Sequence, residues 1–294
     1  MFLRQSCRQF RGSVAPFVRA CHTSGMSKTV TVDVLAAEKI AIMTLNDPQK
    51  LNALTLPVAG DFIEAVKSLR DRVSAEDIRA VVLTGAGRAF SAGGDMEWLA
   101  ERGRDAPHRN ADVMRDFYGY FLCVRSIPVP VIAAINGSAI GAGMCLATAC
   151  DLRVMDEEAK VGYTFVNLGL HPGMAATHFL PKVAGQQHAT RLLLTGEMMD
   201  AQTALRYGVV GEIAPKGQSV EVAKGIAKKM ANASPVAVRA TLRSLRIQQD
   251  EGLEAALRRE ADAQSQGYAR SDFPEGLAAT KERRKPDFGP YSRL

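Results

Sequence analysis

Two short runs of small residues carry the chemistry this sequence offers. One is Ser138-Ala139-Ile140-Gly141-Ala142-Gly143, between the apolar run Val129–Ile135 and the stretch Met144–Cys150. The other is Ala89-Phe90-Ser91-Ala92-Gly93-Gly94, after the apolar run Ile78–Thr84 and the turn Gly85-Ala86-Gly87. Small residues let a second backbone or a ligand approach closely. Met144 to Cys150 has almost no polar face, and a helix that is apolar all round is buried. Its N-terminus therefore enters the interior with free N–H groups and the positive end of its dipole. No side-chain cap follows Ser138, so a group that is or becomes negative is the natural partner of those amides. Two such bends, each after a buried strand and before a helix, are the arrangement of a two-amide oxyanion hole.

The elements that must position these bends are legible in outline. Thr29–Leu35 and Lys39–Leu45 alternate as two strands joined by Ala36-Ala37-Glu38. Leu56–Arg72 has a helical period through Phe62, Ile63, Val66 and Leu69. Asp95 is placed to cap a helix through Trp98 to Glu101, and His108–Arg125 is a further helical stretch. Strands are expected at Leu152–Met155, Lys160–Phe165 and Val209–Ala214, with helices at Thr177–Val183, Gln187–Leu194 and Ala201–Tyr207. From Ser219 the pattern is helical almost to the end. The expected fold is α/β, a stack of strand, glycine-rich turn and helix units over residues 26–215, with a C-terminal helical region over 216–294.

Composition narrows the function classes. Apolar residues make 47% and charged residues 23%, an ordinary globular balance. No apolar run reaches the length of a membrane span. The net charge is +6, but residues 1–25 hold four arginines and no acid. Without them 33 basic residues face 31 acidic ones, which argues little for nucleic acid. Lys67, Arg70 and Arg72 interleave with Asp61, Glu64 and Asp71, as on a solvated helix face. Residues 1–25, Arg-spaced, Ser-containing and acid-free, have the composition of a mitochondrial transit peptide, so the matrix is the expected location. The five cysteines have neither disulfide-framework nor zinc spacing. Leu146 replaces the third glycine of a dinucleotide fingerprint, and no phosphate-loop GK[ST], HExxH or GxSxG is present. His171 and His178, separated by Pro172-Gly173, share no metal spacing.

These residues resemble the enoyl-CoA hydratase/isomerase (crotonase) superfamily. The matching pieces include Leu51-Asn52-Ala53-Leu54, Val82-Leu83-Thr84-Gly85, Ala89–Asp95, Pro130–Gly137, Gly141-Ala142-Gly143, Cys150-Asp151, Pro172-Gly173 and Leu194-Thr195-Gly196. The resemblance covers about residues 29–290 and implies a crotonase-like spiral of ββα units, homo-trimers or hexamers, and acyl-CoA thioester substrates. Coenzyme A enters as part of the substrate, and no separate cofactor or metal is implied. The resemblance assigns the amides of Ala92 and Ala142 to the thioester oxygen. It places Gly93, Gly94 and Asp95 beside the ligand, Lys50, Leu51 and Ala53 over the nucleotide, and Arg283 on coenzyme A phosphates. Arg283 reads equally as one more charge in the solvated run Lys281–Lys285.

The sequence departs from the family's hydratases at two positions. Where these carry glutamates, Cys145 and Phe165 stand here. General acid–base groups typically contribute about a hundred- to ten-thousand-fold each. His171, on the expected wall of the site, is the nearby group that titrates close to neutral pH, and it reads either as a substitute acid/base or as an ordinary loop histidine. Cys145 reads as a nucleophile at a helix N-terminus or as an inert buried residue. Tyr163, Phe165 and Met144 would make the pocket apolar. The departures leave three readings: an enoyl-CoA hydratase-like enzyme of fatty or branched-chain acid breakdown, a decarboxylase of malonyl-type thioesters, and a non-catalytic acyl-CoA-binding paralogue.

Overall fold

The computed structural model describes residues 28–289. The expected targeting segment, residues 1–25, lies outside them. A six-stranded sheet runs in the order β1 (Val30–Leu35), β2 (Ile40–Leu45), β3 (Ala80–Gly85), β5 (Val131–Ile135), β7 (Leu152–Asp156) and β10 (Glu212–Ala214). Only the β1–β2 hairpin is antiparallel; the other pairs are parallel. A parallel sheet is covered on both faces, and the residues alternate accordingly. Val82, Ile132, Ala134 and Val154 point to α7 (Ser219–Asn232), which meets them with Ala223, Ala227 and Ala231 at helical spacing. Val81, Leu83, Val131, Ala133 and Ile135 point into the larger core.

A second sheet of four short strands runs in the order β4 (Ala89–Ser91), β6 (Ser138–Ile140), β8 (Lys160–Gly162) and β9 (Met198–Asp200). Each turn of the spiral places one strand in each sheet and then a helix: β3, β4 and α2 (Met96–Arg102); β5, β6 and α4 (Ala142–Ala149); β7, β8 and α5 (Ala176–Thr195). The crotonase-like spiral of ββα units is thus present. The small-residue runs are not wholly loops, because Ala89 pairs with Ser138 and Ser91 with Ala139 as strand partners. The strand expected over Lys160–Phe165 stops at Gly162, and a 3₁₀ turn takes over at Thr164–Leu168. The strand expected over Val209–Ala214 begins at Glu212. The two helices expected over 177–194 form one run bent at Gly185, which has φ 74° and ψ 162°.

α1 (Leu56–Ala75), α3 (Pro107–Leu122) and α6 (Ala201–Arg206) complete the core, and the extension continues as α8 (Pro235–Asp250), α9 (Leu253–Tyr268) and α10 (Asp272–Glu282). α9 packs along α3. α8 is tied to the core by ion pairs instead of apolar burial. Arg246 bonds the Asp151 carboxylate at 2.6 and 2.8 Å, and Arg125 forms an ion pair with Asp250 at 2.6 Å. Asp151 in turn accepts the Val131 N–H at 2.7 Å. No helix among the described residues is long and apolar enough to cross a membrane.

Candidate active site

The start of α4 is built as its residue types demand. β6 ends at Ile140, and the chain turns through Gly141 at φ 53° and ψ −120°, a conformation that favours glycine. The Gly141 N–H donates to Gly162 O at 2.8 Å, and the first i−4 bond of the helix runs from Cys145 N–H to Gly141 O at 3.0 Å. No side chain caps this end, and every residue of α4 is buried. Helix geometry therefore leaves the N–H groups of Ala142, Gly143 and Met144 without intrahelical acceptors. Buried donors are costly to leave unpaired. Ala142 is 7% exposed and Met144 0%.

The second bend lies directly against the first. A Cβ on Gly93 would stand 2.5 Å from Ile140 O and 3.4 Å from the Ala142 nitrogen. The expected amide of this bend is not free. The Ala92 N–H donates to Leu51 O at 2.9 Å, so the fold has already committed it. Leu54 bridges Gly94 in parallel, with the Leu54 N–H on Gly93 O at 2.7 Å. That pattern bonds Leu54 on both sides and turns the Gly94 N–H away from the Leu54 segment. The Ser91 hydroxyl fixes the bend, donating to Asn52 O at 2.8 Å and accepting the Gly93 N–H at 3.2 Å. Asp95 is a helix cap, accepting the N–H groups of Glu97 and Trp98.

A family model described as enoyl-CoA hydratase/isomerase matches residues 36–290. The chain belongs to the enoyl-CoA hydratase/isomerase family. It is similar to the 2,3-dehydroadipyl-CoA hydratase of Escherichia coli, 33% identical over 251 residues that span 85% of this chain and 95% of that one. It is 35% identical over 263 residues to the (E)-benzylidenesuccinyl-CoA hydratase of Thauera aromatica, covering 88% of this chain and 98% of the relative. Among solved structures, an enoyl-CoA hydratase/isomerase from Mycobacterium paratuberculosis superposes with a TM-score of 0.76 at 31% identity, covering 86% of this chain and 98% of that one.

Within this enoyl-CoA hydratase/isomerase framework, the two positions where glutamates are expected carry no carboxylate. Phe165 is nearly buried, and Cys145 is 1% exposed with its thiol directed at Gly173 O, 3.4 Å away. Burial, with Glu260 nearby, holds the Cys145 thiol well above its usual range. It is therefore protonated at neutral pH, which removes the nucleophile reading. Tyr163 is a core residue instead of a pocket wall: it is fully buried, with its hydroxyl 2.6 Å from that of Thr148.

His171 is half-buried, with Nδ1 2.6 Å from Pro172 O. A carbonyl only accepts, so Nδ1 carries the proton and Nε2 keeps the lone pair. Burial lowers the His171 pKa, so the ring is neutral at pH 7. It lines a cavity of about 620 Å³ with Thr177, Pro181, Thr190, Leu193 and Asp272. Ala142, Gly94, Cys145 and Phe165 are not among the walls of that cavity. His178 is structural: its Nε2 lies 2.7 Å from Gln249 O.

Of the residues expected over the nucleotide, Lys50 is exposed, Leu51 half-buried and Ala53 buried. Leu51 and Asn52 both take positive φ, 52° and 55°, and the Asn52 side chain secures the turn by donating to Ala86 O and Ala89 O. Arg283 ends α10 with φ 54° and is exposed. Its neighbour Arg284 is held by Glu275 and Glu282.

One buried carboxylate escaped the sequence reading. Glu260 of α9 is fully buried and accepts the Ala175 N–H, the Thr177 N–H, both at 2.7 Å, and the Thr177 hydroxyl at 2.5 Å. Burial pushes its carboxyl up to about 7, against these bonds, which pull it down. Its run Arg258-Arg259-Glu260 looks solvated. The available signal was position: Leu253, Leu257, Glu260, Gln264 and Tyr268 share one helical stripe.

Proposed function

We propose that this chain is an acyl-CoA thioester enzyme of the enoyl-CoA hydratase type, which holds the thioester oxygen with the N–H groups of Ala142 and Gly94 as an enolate forms. The observation that carries this reading is the buried, uncapped start of α4 lying against the Gly93–Gly94 bend. Two preorganised donors in a dry site are worth several kcal/mol in the transition state, on the order of 3 kcal/mol each. The relatives named as hydratases of acyl-CoA esters support the substrate class.

In the hydration reading His171 is the acid–base group, with Nε2 free to take and return a proton. Arg283 holds the coenzyme A phosphates and Lys50 covers the nucleotide, a reading supported by the exposure of both cations. Val236, Leu245 and Ile247, more than half exposed on α8, support assembly into trimers or hexamers. The acid-free, Arg-spaced residues 1–25 support a mitochondrial matrix location.

A second reading rests on a separate observation. Cys145 and Phe165 supply no carboxylate, and the cavity of His171 does not include the α4 bend. Loss of carbon dioxide from a malonyl-type thioester leaves an enolate that the same amides can hold, with little demand for a strong base.

The test is turnover of crotonyl-CoA and of methylmalonyl-CoA by the purified chain. Hydration of crotonyl-CoA that falls about a hundredfold in His171→Ala upholds the first reading. Hydration unchanged in that variant removes His171 from it. Carbon dioxide release without hydration replaces it with the second. Binding of both esters without turnover leaves an acyl-CoA-binding protein.

A further inference from the structure

We propose that Glu260 is a positioning residue of the acyl-thioester site: carried by the C-terminal extension, it holds the turn Gly173–Thr177 in the place from which that turn braces the start of α4. This rests on the acyl-thioester reading of the α4 bend.

The turn cannot hold itself. Met174 and Ala175 are consecutive non-glycine residues at φ 59° and 62°, a left-handed pair that persists only where its surroundings impose it. Ala175 is the N-cap of α5 and offers no side-chain cap of its own. Glu260 supplies that cap from another helix, with one oxygen on the Ala175 N–H and the other on both donors of Thr177. One helical turn later Gln264 grips the other end: its Nε2 donates to His171 O at 3.0 Å, and its Oε1 accepts the Tyr118 hydroxyl at 2.7 Å. Two side chains of α9 thus clamp residues 171–177.

On its far side the clamped turn meets α4. The Gly173 carbonyl accepts the Cys145 thiol, and Cys145 lies three residues after Ala142, one helical turn from the proposed oxyanion donor. A Cβ on Gly173 would stand 2.3 Å from the Tyr118 hydroxyl oxygen, so the turn has no room to retreat from α4 toward α3. A displacement of the turn therefore moves Cys145 and re-aims the first-turn amides. Sub-ångström errors at such donors weaken oxyanion stabilisation strongly. The carboxylate is specific to the task. Three donors converge on its two oxygens, and an amide in its place would point an NH₂ at a backbone N–H.

The experiment uses the full chain and hexadienoyl-CoA, a thioester whose conjugated absorbance shifts to the red when its carbonyl is polarised. Glu260→Gln and Glu260→Asp are compared with the native chain well below each protein's unfolding midpoint. Glu260→Gln is expected to bind the probe within about threefold of the native Kd, while the red shift falls below about half and kcat on crotonyl-CoA falls about tenfold or more. Glu260→Asp, which keeps both acceptors, recovers part of each. A red shift equal to the native one in Glu260→Gln, or a loss that only tracks the fraction unfolded by near-ultraviolet circular dichroism, overturns the proposal. A native chain that shifts the probe but hydrates nothing removes the hydration reading alone, and the comparison of shifts still decides Glu260. No shift in the native chain overturns both.

Discussion

Gly143 lies against Ser91 with no space for a side chain. A Cβ there would stand 2.7 Å from both the Ser91 Cβ and the Ser91 carbonyl oxygen. The contact locks the first turn of α4 onto β4, and so locks one amide-bearing bend onto the other. Gly143→Ala must push β4 and α4 apart. Overpacking of this kind costs about 1–3 kcal/mol. Chemical denaturation is expected to show that loss, and the oxyanion function should fall further than stability does.

Ala142→Pro separates the donor from the fold. Proline is well tolerated at the first position of a helix, where its missing N–H has no intrahelical acceptor in any case. The helix should therefore form, and the melting temperature should stay close to the native one. Turnover of the preferred thioester should drop about a hundred- to a thousandfold, the usual cost of one lost oxyanion donor. Steady-state kinetics with a parallel melting curve checks both halves.

Asp151→Ala tests the tether of the C-terminal extension. It leaves the Arg246 guanidinium, only 12% exposed, without its carboxylate, and frees the Val131 N–H. Removing one partner of a buried pair is typically worth about 3–5 kcal/mol. Because Arg246 also donates to the carbonyls of Arg125 and Ile127, part of its anchoring survives, so the lower end of that range is expected. A urea midpoint reads the change.

The titration of Glu260 sets a pH dependence with a definite sign. Its folded pKa of about 7 lies above the ordinary 4.5. The unfolded chain therefore ionises first as pH rises, and this residue's contribution is complete below pH 4.5 and lost as pH climbs through 7. A shift of this size corresponds to roughly 3 kcal/mol. Across that window the native chain should lose stability relative to Glu260→Gln, and the two denaturation profiles, taken from pH 4 to 8, should converge or cross. Parallel profiles would show that the carboxyl does not titrate there.

The large sheet was legible because strands covered on both faces must be apolar throughout, as Val131–Ile135 and Ala80–Leu83 are. The short strands β4 and β6 were not. Ala89–Ser91 and Ser138–Ile140 have loop-like composition, and they are strands only because they pair with each other. The position of α4 and its uncapped start followed from its lack of a polar face. The engagement of the Ala92 amide by Leu51 O did not, since the direction of an amide is a main-chain property fixed by the Leu51–Leu54 segment. Glu260 was hidden for the opposite reason: its residue type pointed to solvent, and the packing of α9 against α3 and the start of α5 takes it inside.

The proposed grip on the substrate belongs to the main chain. An alanine scan would miss the donors themselves, because trimming a side chain deletes no peptide nitrogen. Side chains that face a held acyl group can therefore be exchanged to change its fate while the hold itself persists. One scaffold can in this way host several fates for the same carbanion.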